Sequence, residues 1–369
     1  MKILITCETY YPFVGGVSLA CQYIAEGLAA KHSIEVATGY LPYRTASQHK
    51  NVVIREFNIK GCLSIGIHGE KSKYIDFLRT WDGDVMLNYA AQCWPTDLAM
   101  TNIVDLKYKK ILIPCGYSGL IGGLKMRIAH WFYFLRLPKY LKHYDELVYL
   151  SSDYIDSRYN KRRGIMGGVV IGNGININEF NESASVAFRK KYGINTPYLL
   201  LTVSNHQIVK RHEFIIDAFS KMKNKESTLV ILSSRAEGCF KKCKSSSEIS
   251  NGRIILITNI PRRDVISAYF SADIFLFASK IECFPLTIIE SLGAGVPFIS
   301  TPCGNVPDLP GGIIIGSSEE MARTADKLLE ERDYRCKLGE EGKRFCHEHF
   351  TWDHIIEQYE DLIERICKD

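Results

Sequence analysis

A strand, a loop, a helix and a second strand follow one another between residues 272 and 300, and this order most constrains the fold. Residues 272–278 form an apolar run bounded by turn residues, which predicts a buried strand. Pro285 suits a first helical residue, because its missing N–H would have no partner there anyway. Apolar side chains then recur at helical spacing, two glycines end the helix and a further strand follows: Leu286, Ile289, Leu292, Gly293, Gly295 and 296–300.

Two carboxylates frame the start of this helix. Glu282 lies in the preceding loop, and Glu290 lies roughly 7.5 Å beyond Pro285 at about 1.5 Å per residue. The unpaired N–H groups and positive dipole end of a helix start favour phosphate. With a diphosphate bound there, Glu290 could accept hydrogen bonds from ribose hydroxyls and Glu282 from sugar hydroxyls. The spacing fits a nucleotide sugar across the helix start; the alternative is a surface helix with solvated charges.

Strand-like runs alternate with helical stretches along the rest of the chain. Such alternation predicts an α/β fold with parallel sheets and helices on both faces. The predicted strands are 2–6, 34–38, 52–57, 84–88, 110–114, 146–150, 168–171, 198–204, 228–232, 253–258, 273–278, 297–300 and 312–315. The predicted helices include 17–30, 210–222, 262–270, 285–293, 319–332, 335–349 and 352–367.

The length and the repeated plan predict two domains. The chain has 369 residues, and domains average roughly 150 residues. The turn-rich segment Gly172-Asn173-Gly174-Ile175-Asn176 separates two runs of alternating strands and helices. We therefore place the boundary at this segment, with a first domain over 1–172 and a second over 173–351.

The pattern Glu282-x7-Glu290 resembles the donor site of the retaining glycosyltransferases of family four. The preceding strand and the Gly-Ala-Gly-Val-Pro turn strengthen the resemblance. The resemblance implies the GT-B fold, in which two doubly wound, Rossmann-like domains face a cleft. It implies an acceptor-side first domain, completed by a C-terminal helix over 352–369, and a donor-binding second domain. The donor-binding residues it implies are Gly15, Gly16, Asn205, Lys210, Arg211, Glu282, Phe284, Leu286 and Glu290.

Around Lys210 the sequence departs from the family pattern. The segment 203–212 resembles the one that supplies an arginine and a lysine to the donor diphosphate. Lys210 matches the lysine, whereas Asn205 or His206 stands near the place of the arginine. Less positive charge would then stabilise the departing diphosphate, unless Arg211 compensates. The alternative for Lys210 and Arg211 is a solvated basic helix start.

In the first half, Gly15 and Gly16 separate a strand from a helix, where the backbone can approach a phosphate. They resemble the Gly-Gly loop of the same transferases, although they could form only a turn. Many relatives carry a histidine on the acceptor side, in a loop that here reads 113–119 and has none. Tyr117 and Ser118 are the acceptor-side candidates in that loop. Cys115 has no activating base nearby in sequence, so a buried structural thiol is the favoured interpretation.

Composition excludes several classes of protein. The net charge of +5 is mild, and no nucleic-acid motif or spanning apolar run is present. The 12 cysteines are scattered, and Cys239-x3-Cys243 without a partner pair is poor support for zinc. Asp82-Gly83-Asp84 has the letters of a metal-binding signature but precedes a strand. We therefore predict no metal, no cofactor, no nucleic-acid partner and a cytoplasmic protein with reduced thiols.

Residues 122–144 combine basic and aromatic side chains without an acidic one. This composition suits a peripheral contact with anionic lipid at the inner face of a membrane. It equally suits an amphipathic helix that covers the sheet. The basic and aromatic residues are Lys125, Arg127, Trp131, Phe132, Tyr133, Phe134, Arg136, Lys139, Tyr140 and Lys142.

Together with the residues, the resemblance thus implies a retaining, metal-independent hexosyltransferase with Glu282 and Lys210 in catalytic roles. The donor would be a UDP- or GDP-sugar, and the acceptor a glycan or lipid-linked sugar in cell-surface polysaccharide biosynthesis. Two alternatives remain open at this point. One is a nucleotide-sugar epimerase or phosphorylase of similar shape, and the other is a non-catalytic nucleotide-sugar-binding subunit.

Overall fold

The computed structural model describes residues 1–121, 123–180, 185–250 and 253–368. The chain forms two compact units. The first contains Met1–Asn173 and the C-terminal stretch that begins at Trp352, and the second contains Gly174–Thr351. Gly122, the first residue of the basic and aromatic segment, and Asp369, at the end of the predicted C-terminal helix, lie outside the described residues.

The strands follow the chain in both units. They are β1 (Lys2–Thr6), β2 (Ser33–Gly39), β3 (Gln48–His49), β4 (Val52–Phe57), β5 (Ile59–Cys62), β6 (Gly66–Gly69), β7 (Val85–Tyr89), β8 (Lys109–Ile113), β9 (Glu146–Tyr149), β10 (Val169–Val170), β11 (Tyr198–Val203), β12 (Ser227–Ser233), β13 (Ile254–Thr258), β14 (Ile274–Phe277), β15 (Phe298–Ser300) and β16 (Gly312–Ile314).

The helices alternate with these strands. They are α1 (Gly16–Leu28), α2 (Lys71–Thr80), α3 (Trp94–Thr101), α4 (Ser118–Ile121), α5 (Leu124–Ala129), α6 (Trp131–Leu141), α7 (Ile155–Arg162), α8 (Ser185–Lys191), α9 (His212–Lys221), α10 (Phe240–Glu248), α11 (Arg262–Ser271), α12 (Leu286–Gly293), α13 (Ser318–Glu330), α14 (Arg332–His349) and α15 (Trp352–Lys368).

The sheet of the first unit has the strand order β10-β9-β8-β7-β1-β2-β4-β3. All neighbours pair in parallel except β3, which runs antiparallel to β4. The chain builds the sheet outward from β1 in one direction and then from β7 in the other. Because ligands of such sheets bind beyond the carboxyl ends of the strands where the order reverses, the end of β1 is a candidate position.

The sheet of the second unit has the order β13-β12-β11-β14-β15-β16, and every pairing is parallel. Its order reverses between β11 and β14, whose register pairs Leu200 with Ile274. Two parallel-sheet α/β units of this kind confirm the predicted α/β, doubly wound fold class.

The buried faces of these elements form separate cores. In the second unit, apolar side chains of β11, β12 and β14 pack against α9 and α13. In the first unit, α15 packs against α1, where the Tyr23 and Trp352 rings stack at 4.9 Å. Close packing there leaves no room for a side chain at Gly27, since a Cβ would lie 2.2 Å from Ile356.

The structure differs from the predicted elements mainly at their ends. The helix predicted from Lys210 begins at His212, because Arg211 adopts a left-handed conformation (φ 54°) that interrupts helical geometry. The helix predicted from Pro285 begins one residue later. The short hairpin of β5 and β6 was not predicted, because it lacks a long alternating pattern and bends at glycines with positive φ.

Within the ranges that the structure describes, no helix is both long enough and apolar enough to cross a lipid bilayer.

Candidate active site

The carboxyl ends of β11 and β14 lie side by side where the strand order of the second unit reverses. β11 leads into the loop 204–210, and β14 leads into the loop 278–285. In open α/β sheets, this is the position at which ligands bind. The sheet topology therefore brings both donor-site segments predicted from the sequence to one place.

Three contacts join the two loops. The Lys280 N–H donates to the carbonyl of Val209 at 2.8 Å. The Lys210 ammonium forms an ion pair with Glu282, and both side chains are only partly exposed. The Ser279 hydroxyl donates to the same Glu282 oxygen at 3.0 Å. The structure thus unites Lys210 and Glu282, the two predicted catalytic residues, in one hydrogen-bonded cluster.

The helix start beside this cluster keeps its backbone donors. Pro285 is the N-cap of α12, and among the described residues no side chain caps it. Leu286 at the first helical position is half-buried, whereas Ile288 and Ile289 are buried beneath it. Since the first N–H groups of a helix lack partners within the helix, they can donate to an anion here.

The ring of Phe284, one of the predicted donor-binding residues, lies in the core. It is buried and packs edge-on against Phe350 at 5.2 Å, inside the second unit. The aromatic side chain is therefore part of the core, because its apolar surface is better buried than exposed. Any contribution of Phe284 to a donor site comes from its backbone.

A segment outside the predicted site residues lies directly against the Glu282 loop. Gly304 has a positive φ of 55°, and a Cβ there would lie 2.5 Å from the carbonyl oxygen of Cys283. The next N–H, of Asn305, donates to that carbonyl at 3.2 Å. The buried Asn305 Oδ1 lacks a hydrogen-bond partner within the described part of the chain.

Glu290 is buried on α12 and held from α11. The Arg262 guanidinium pairs with Glu290 Oε1 at 2.6 Å, and the Tyr269 hydroxyl donates to Oε2 at 2.9 Å. Arg262 also binds Glu179 at 2.9 Å. Burial, reinforced by the nearby Glu290 charge, raises the pKa of Tyr269, so that its hydroxyl stays a donor. The carboxylate is therefore fixed in orientation, with one further lone pair on each oxygen.

The residues around Lys210 make contacts within the second unit. Asn205 Oδ1 accepts hydrogen bonds from Ser234, at 3.1 Å from its N–H and 2.6 Å from its hydroxyl. The Arg211 guanidinium lies over the Phe214 ring at 4.2 Å. His206 is buried and turns toward His212, with Nδ1 atoms 3.0 Å apart. In this arrangement the His206 imidazole faces His212 and the Arg211 guanidinium faces Phe214.

A second cluster in this unit has the chemistry of metal ligands. The ligand atoms of His206, His212, Cys239 and Cys243 all lie within 4.8 Å of one another. Burial raises the pKa of Cys243 to about 12. Burial, with His206 and Lys210 nearby, lowers that of His212 to about 3. Without an ion, the cluster therefore holds neutral thiols and neutral imidazoles.

In the first unit, Gly15 and Gly16 begin α1 beyond the end of β1. Gly15 is the N-cap in an extended conformation (φ −163°) that any residue adopts. A Cβ on Gly16 would meet no atom within 4 Å, and one on Gly15 would meet only Phe13, at 3.0 Å. Neither the conformation nor the described surroundings of Gly16 require a glycine.

The two acceptor-side candidates, Tyr117 and Ser118, differ in exposure. Tyr117 is fully buried, and its hydroxyl donates to Asn160 at 3.3 Å, so its side chain is a core residue and cannot contact an acceptor. Ser118 is exposed, and its hydroxyl donates to Gln92 at 3.4 Å. Burial, with Asp156 nearby, raises the pKa of Cys115 to about 12, which keeps it a thiol rather than a nucleophile.

The Asp82-Gly83-Asp84 segment binds the N-terminal strand. Lys2 donates its backbone N–H to Asp84 at 2.7 Å, and its ammonium pairs with Asp82. These contacts lie where β1 and β7 begin, at the end of the sheet opposite to the ligand-binding edge. The two carboxylates therefore have a structural explanation.

Comparison with known proteins gives this geometry a family context. Residues 186–345 match the family described as "Glycosyl transferases group 1". This stretch contains Lys210, Glu282 and Glu290. The second unit carries a group 1 glycosyl transferase domain. N-acetyl-alpha-D-glucosaminyl L-malate synthase of Bacillus anthracis is 21% identical over 100% of this chain and 98% of its own length.

Solved structures extend the similarity to the fold of the whole chain. Sucrose-phosphate synthase of Thermosynechococcus elongatus has a TM-score of 0.79 at 15% identity, over 99% of this chain and 98% of that one. HepE of Anabaena, solved with UDP and glucose, has a TM-score of 0.79 at 15% identity, over 99% and 100%. These structures show that the whole chain has the two-domain GT-B fold. The family match and the curated relative support a glycosyltransferase.

Proposed function

We propose that this chain is a retaining, metal-independent glycosyltransferase that moves a sugar from a nucleoside-diphosphate sugar to an acceptor hydroxyl. The observation that carries the proposal is the cluster of Lys210, Glu282 and the uncapped start of α12 at the reversal point of the second sheet. A cation, backbone donors and a carboxylate converge there. These are the groups that bind a diphosphate and an attached sugar.

Donor binding would exchange the ion pair between Lys210 and Glu282 for contacts with the donor. In the absence of donor, each charge neutralises the other. A diphosphate at the start of α12 brings negative charge to Lys210, which can then leave the carboxylate. Glu282 becomes free to accept hydrogen bonds from sugar hydroxyls, while the Ser279 hydroxyl keeps it oriented. Donor binding and alignment of the sugar would therefore occur together.

Glu290 would hold the ribose. Arg262 and Tyr269 fix its carboxylate, and the remaining lone pairs can accept from two adjacent hydroxyls. No described contact identifies the base or the sugar of the donor. HepE was solved with UDP, so UDP-sugars are the first donors to examine, followed by GDP-sugars.

In the proposed reaction, the bond between the anomeric carbon and the diphosphate oxygen breaks. The acceptor oxygen bonds to that carbon on the same face, and its proton passes to the departing diphosphate. Lys210 and the backbone N–H groups of α12 stabilise the charge that develops on the leaving group. The amides at Gly15 and Gly16 are proposed to contribute as further donors, since Gly16 leaves open space for a ligand.

The test is a release assay with UDP-, GDP- and ADP-sugars, run both without and with chelator. We expect slow donor hydrolysis by the wild type with one nucleotide, lost in Glu282→Ala and Glu290→Ala. Transfer of the sugar to an acceptor, followed by NMR of the new glycosidic linkage, checks whether the anomeric configuration is retained. A nucleotide that stabilises the protein without any turnover, even with acceptors present, would instead support a non-catalytic binding subunit. Conversion of the donor sugar without transfer would support an epimerase.

We further propose that the acceptor is lipid-linked and that α5 and α6 contact the membrane that carries it. One face of α6 covers the core through Tyr133, Phe134, Leu137 and Leu141, as an amphipathic helix does. Large apolar side chains are nevertheless exposed on both helices: Leu124 (73%), Met126 and Ile128 on α5, and Trp131 (56%), Phe132 (65%) and Leu135 on α6. Exposed basic residues surround them: Lys125, Arg127, Arg136, Lys139 and Lys142. This pairing of cations with apolar side chains suits an anionic lipid surface.

Co-sedimentation with vesicles tests this surface. We expect binding to phosphatidylcholine vesicles that contain phosphatidylglycerol and weak binding without it. Replacing both Lys125 and Arg127 by Gln should lower affinity about fivefold for each charge, at roughly 1 kcal/mol per charge near the membrane. Val104→Ser removes an equally exposed apolar side chain elsewhere in the same unit and serves as the control. Equal binding by all three proteins would overturn the proposed contact.

A further inference from the structure

The loop that carries Lys210 rests on a buried group of two histidines and two cysteines. His206 follows β11, His212 begins α9, Cys239 is the N-cap of α10, and Cys243 lies one turn into α10. His206, His212 and Cys243 are buried, and Cys239 is partly exposed. Four potential ligands from three segments thus converge inside one unit. The donor-site proposal uses none of these side chains.

The distances between the ligand atoms suit a tetrahedral ion. The two Nδ1 atoms are 3.0 Å apart. Cys239 Sγ lies 3.7 Å from His206 Nδ1 and 3.8 Å from His212 Nδ1, and the two sulfurs are 4.0 Å apart. Zinc bonds of about 2.0 Å to nitrogen and about 2.3 Å to sulfur give tetrahedral separations of about 3.3, 3.5 and 3.8 Å. A sulfur separation of 4.0 Å is also far beyond a disulfide bond.

The surroundings are built to hold these atoms in place. The Ser204 hydroxyl lies 2.7 Å from His212 Nε2, so that Nε2–H can donate to it while Nδ1 turns to the ion. The Cys239 N–H donates to the carbonyl of His206 at 3.0 Å. Gly238 has a positive φ of 57°, and a Cβ there would lie 1.8 Å from that carbonyl oxygen. Only glycine allows the cysteine segment to approach the histidine segment so closely.

We propose that His206, His212, Cys239 and Cys243 form a structural zinc site. The donor set of two nitrogens and two sulfurs is the one that favours zinc, and four protein ligands leave no open position for catalysis. Binding releases two thiol protons to solvent. The resulting centre of one Zn²⁺, two thiolates and two neutral imidazoles carries no net charge, which suits its burial. The alternative is a metal-free polar cluster in which the thiols donate hydrogen bonds to the imidazoles.

This site differs in role from the donor site and does not depend on the proposed transfer reaction. His206 and His212 flank Lys210 on both sides, so an ion bound to both would fix the ends of the loop that carries it. The proposed reaction stays free of metal at the reacting atoms. Metal content and spectra can be measured without a sugar donor, so failure of either proposal leaves the other intact.

The experiment measures zinc in the untagged full chain, expressed with added zinc and purified without chelating resin. We expect one zinc ion per chain in the wild type and in Cys336→Ser, which replaces an exposed cysteine of the same unit. Cys239→Ser should lose the ion, and its partial exposure favours normal folding of this variant. His206→Ala provides a second variant from another segment. Adding a chelator should lower the Tm of the wild type and of Cys336→Ser but not that of Cys239→Ser.

Cobalt provides an independent readout. Chelator-treated wild-type protein titrated with Co²⁺ should develop the thiolate-to-cobalt charge-transfer band and the strong visible bands of tetrahedral coordination. Both should disappear in Cys239→Ser. Zinc-free wild-type protein that also gives no tetrahedral cobalt spectrum would overturn the proposal. The same metal content in the wild type and Cys239→Ser would overturn it equally, since the ion would then be bound elsewhere.

Discussion

Two helix starts in this chain occupy equivalent positions but carry different chemistry. α12 begins beyond β14 in the second unit, and α1 begins beyond β1 in the first. Each follows a strand at the point where the order of a parallel sheet reverses. Among the described residues, neither start is capped by a side chain. Backbone geometry alone therefore gives both units the same kind of anion-binding feature.

The difference lies in the charges beside each start. At α12, Lys210 and Glu282 form an ion pair, and Glu290 is fixed by Arg262 and Tyr269. At α1, the first turn holds no acidic side chain, and a Cβ on Gly16 would meet no atom within 4 Å. A helix start alone is a weak anion site, worth about 0.3–1 kcal/mol at an exposed position. Under the proposed function, donor binding would therefore depend mainly on the second unit, with a backbone contribution from the first.

Removing the cation at α12 should have the largest effect. We expect Lys210→Ala to lower kcat about 10²-fold, because it deletes a positive charge that stabilises the leaving diphosphate. Initial-rate kinetics of donor turnover measure this. Lys280→Ala removes the same charge from an exposed position in the neighbouring loop and should change kcat little. Equal losses in both variants would show that general charge, and not Lys210, carries the effect.

Neutralising the carboxylate of the pair should have the next largest effect. Glu282→Gln keeps the size and one acceptor, but hydrogen bonds to a charged group are worth about 1.5–3 kcal/mol. We expect kcat/KM for the donor to fall about tenfold or more, as measured with the same assay. Glu340→Gln, at an exposed position of α14, is the control. A fully active Glu282→Gln would remove the carboxylate from the proposed mechanism.

Loosening Glu290 should have a smaller effect. Tyr269→Phe removes one buried hydrogen bond to the carboxylate, which we expect to lower the free energy of unfolding by about 1–2 kcal/mol. Nucleotide affinity should weaken with it, because the carboxylate loses a fixed orientation. Denaturant unfolding and calorimetric titration with UDP measure the two effects. Tyr334→Phe, an exposed tyrosine in the same unit, should change neither. Unchanged nucleotide affinity in Tyr269→Phe would argue against a ribose at Glu290.

Adding a methyl group at α1 gives the smallest effect and the sharpest test of the first unit. Gly16→Ala meets no atom within 4 Å, and alanine favours a helix over glycine by up to about 1 kcal/mol. We expect stability to hold or rise while kcat/KM for the donor falls severalfold. Gly123→Ala adds a methyl into equally open space at the start of α5 and should leave activity unchanged. Full activity of Gly16→Ala would exclude close approach of a ligand to α1.

Much of the fold could be predicted because it depends on local patterns. β1 and β4 have the predicted bounds, and the turn glycines after α12 end that helix as expected. Apolar runs and helical spacing encode backbone conformation within one segment. A helix boundary set by the conformation of one residue was harder to predict, as the left-handed Arg211 before α9 demonstrates. The outward apolar face of α6 also required the structure, since composition cannot tell which side packs inward.

The candidate site divides in the same way. The sequence by itself determined the spacing of Glu282 and Glu290 around Pro285 and the presence of Lys210 after a strand. Only the tertiary structure decided that Lys210 pairs with Glu282, that α11 fixes Glu290 and that Phe284 is a core residue.

The cysteine pair makes the physical reason plain. By sequence, Cys239 and Cys243 lacked a second pair of ligands, and zinc was considered poorly supported. Because β11 pairs with β12, the ends of these two strands lie side by side. His206 and His212, which follow β11, therefore meet Cys239 and Cys243, which follow β12. Local spacing determines which side chains share a turn or a helix face. Strand order and register determine which distant side chains meet, because the free energy of packing a whole sheet selects them.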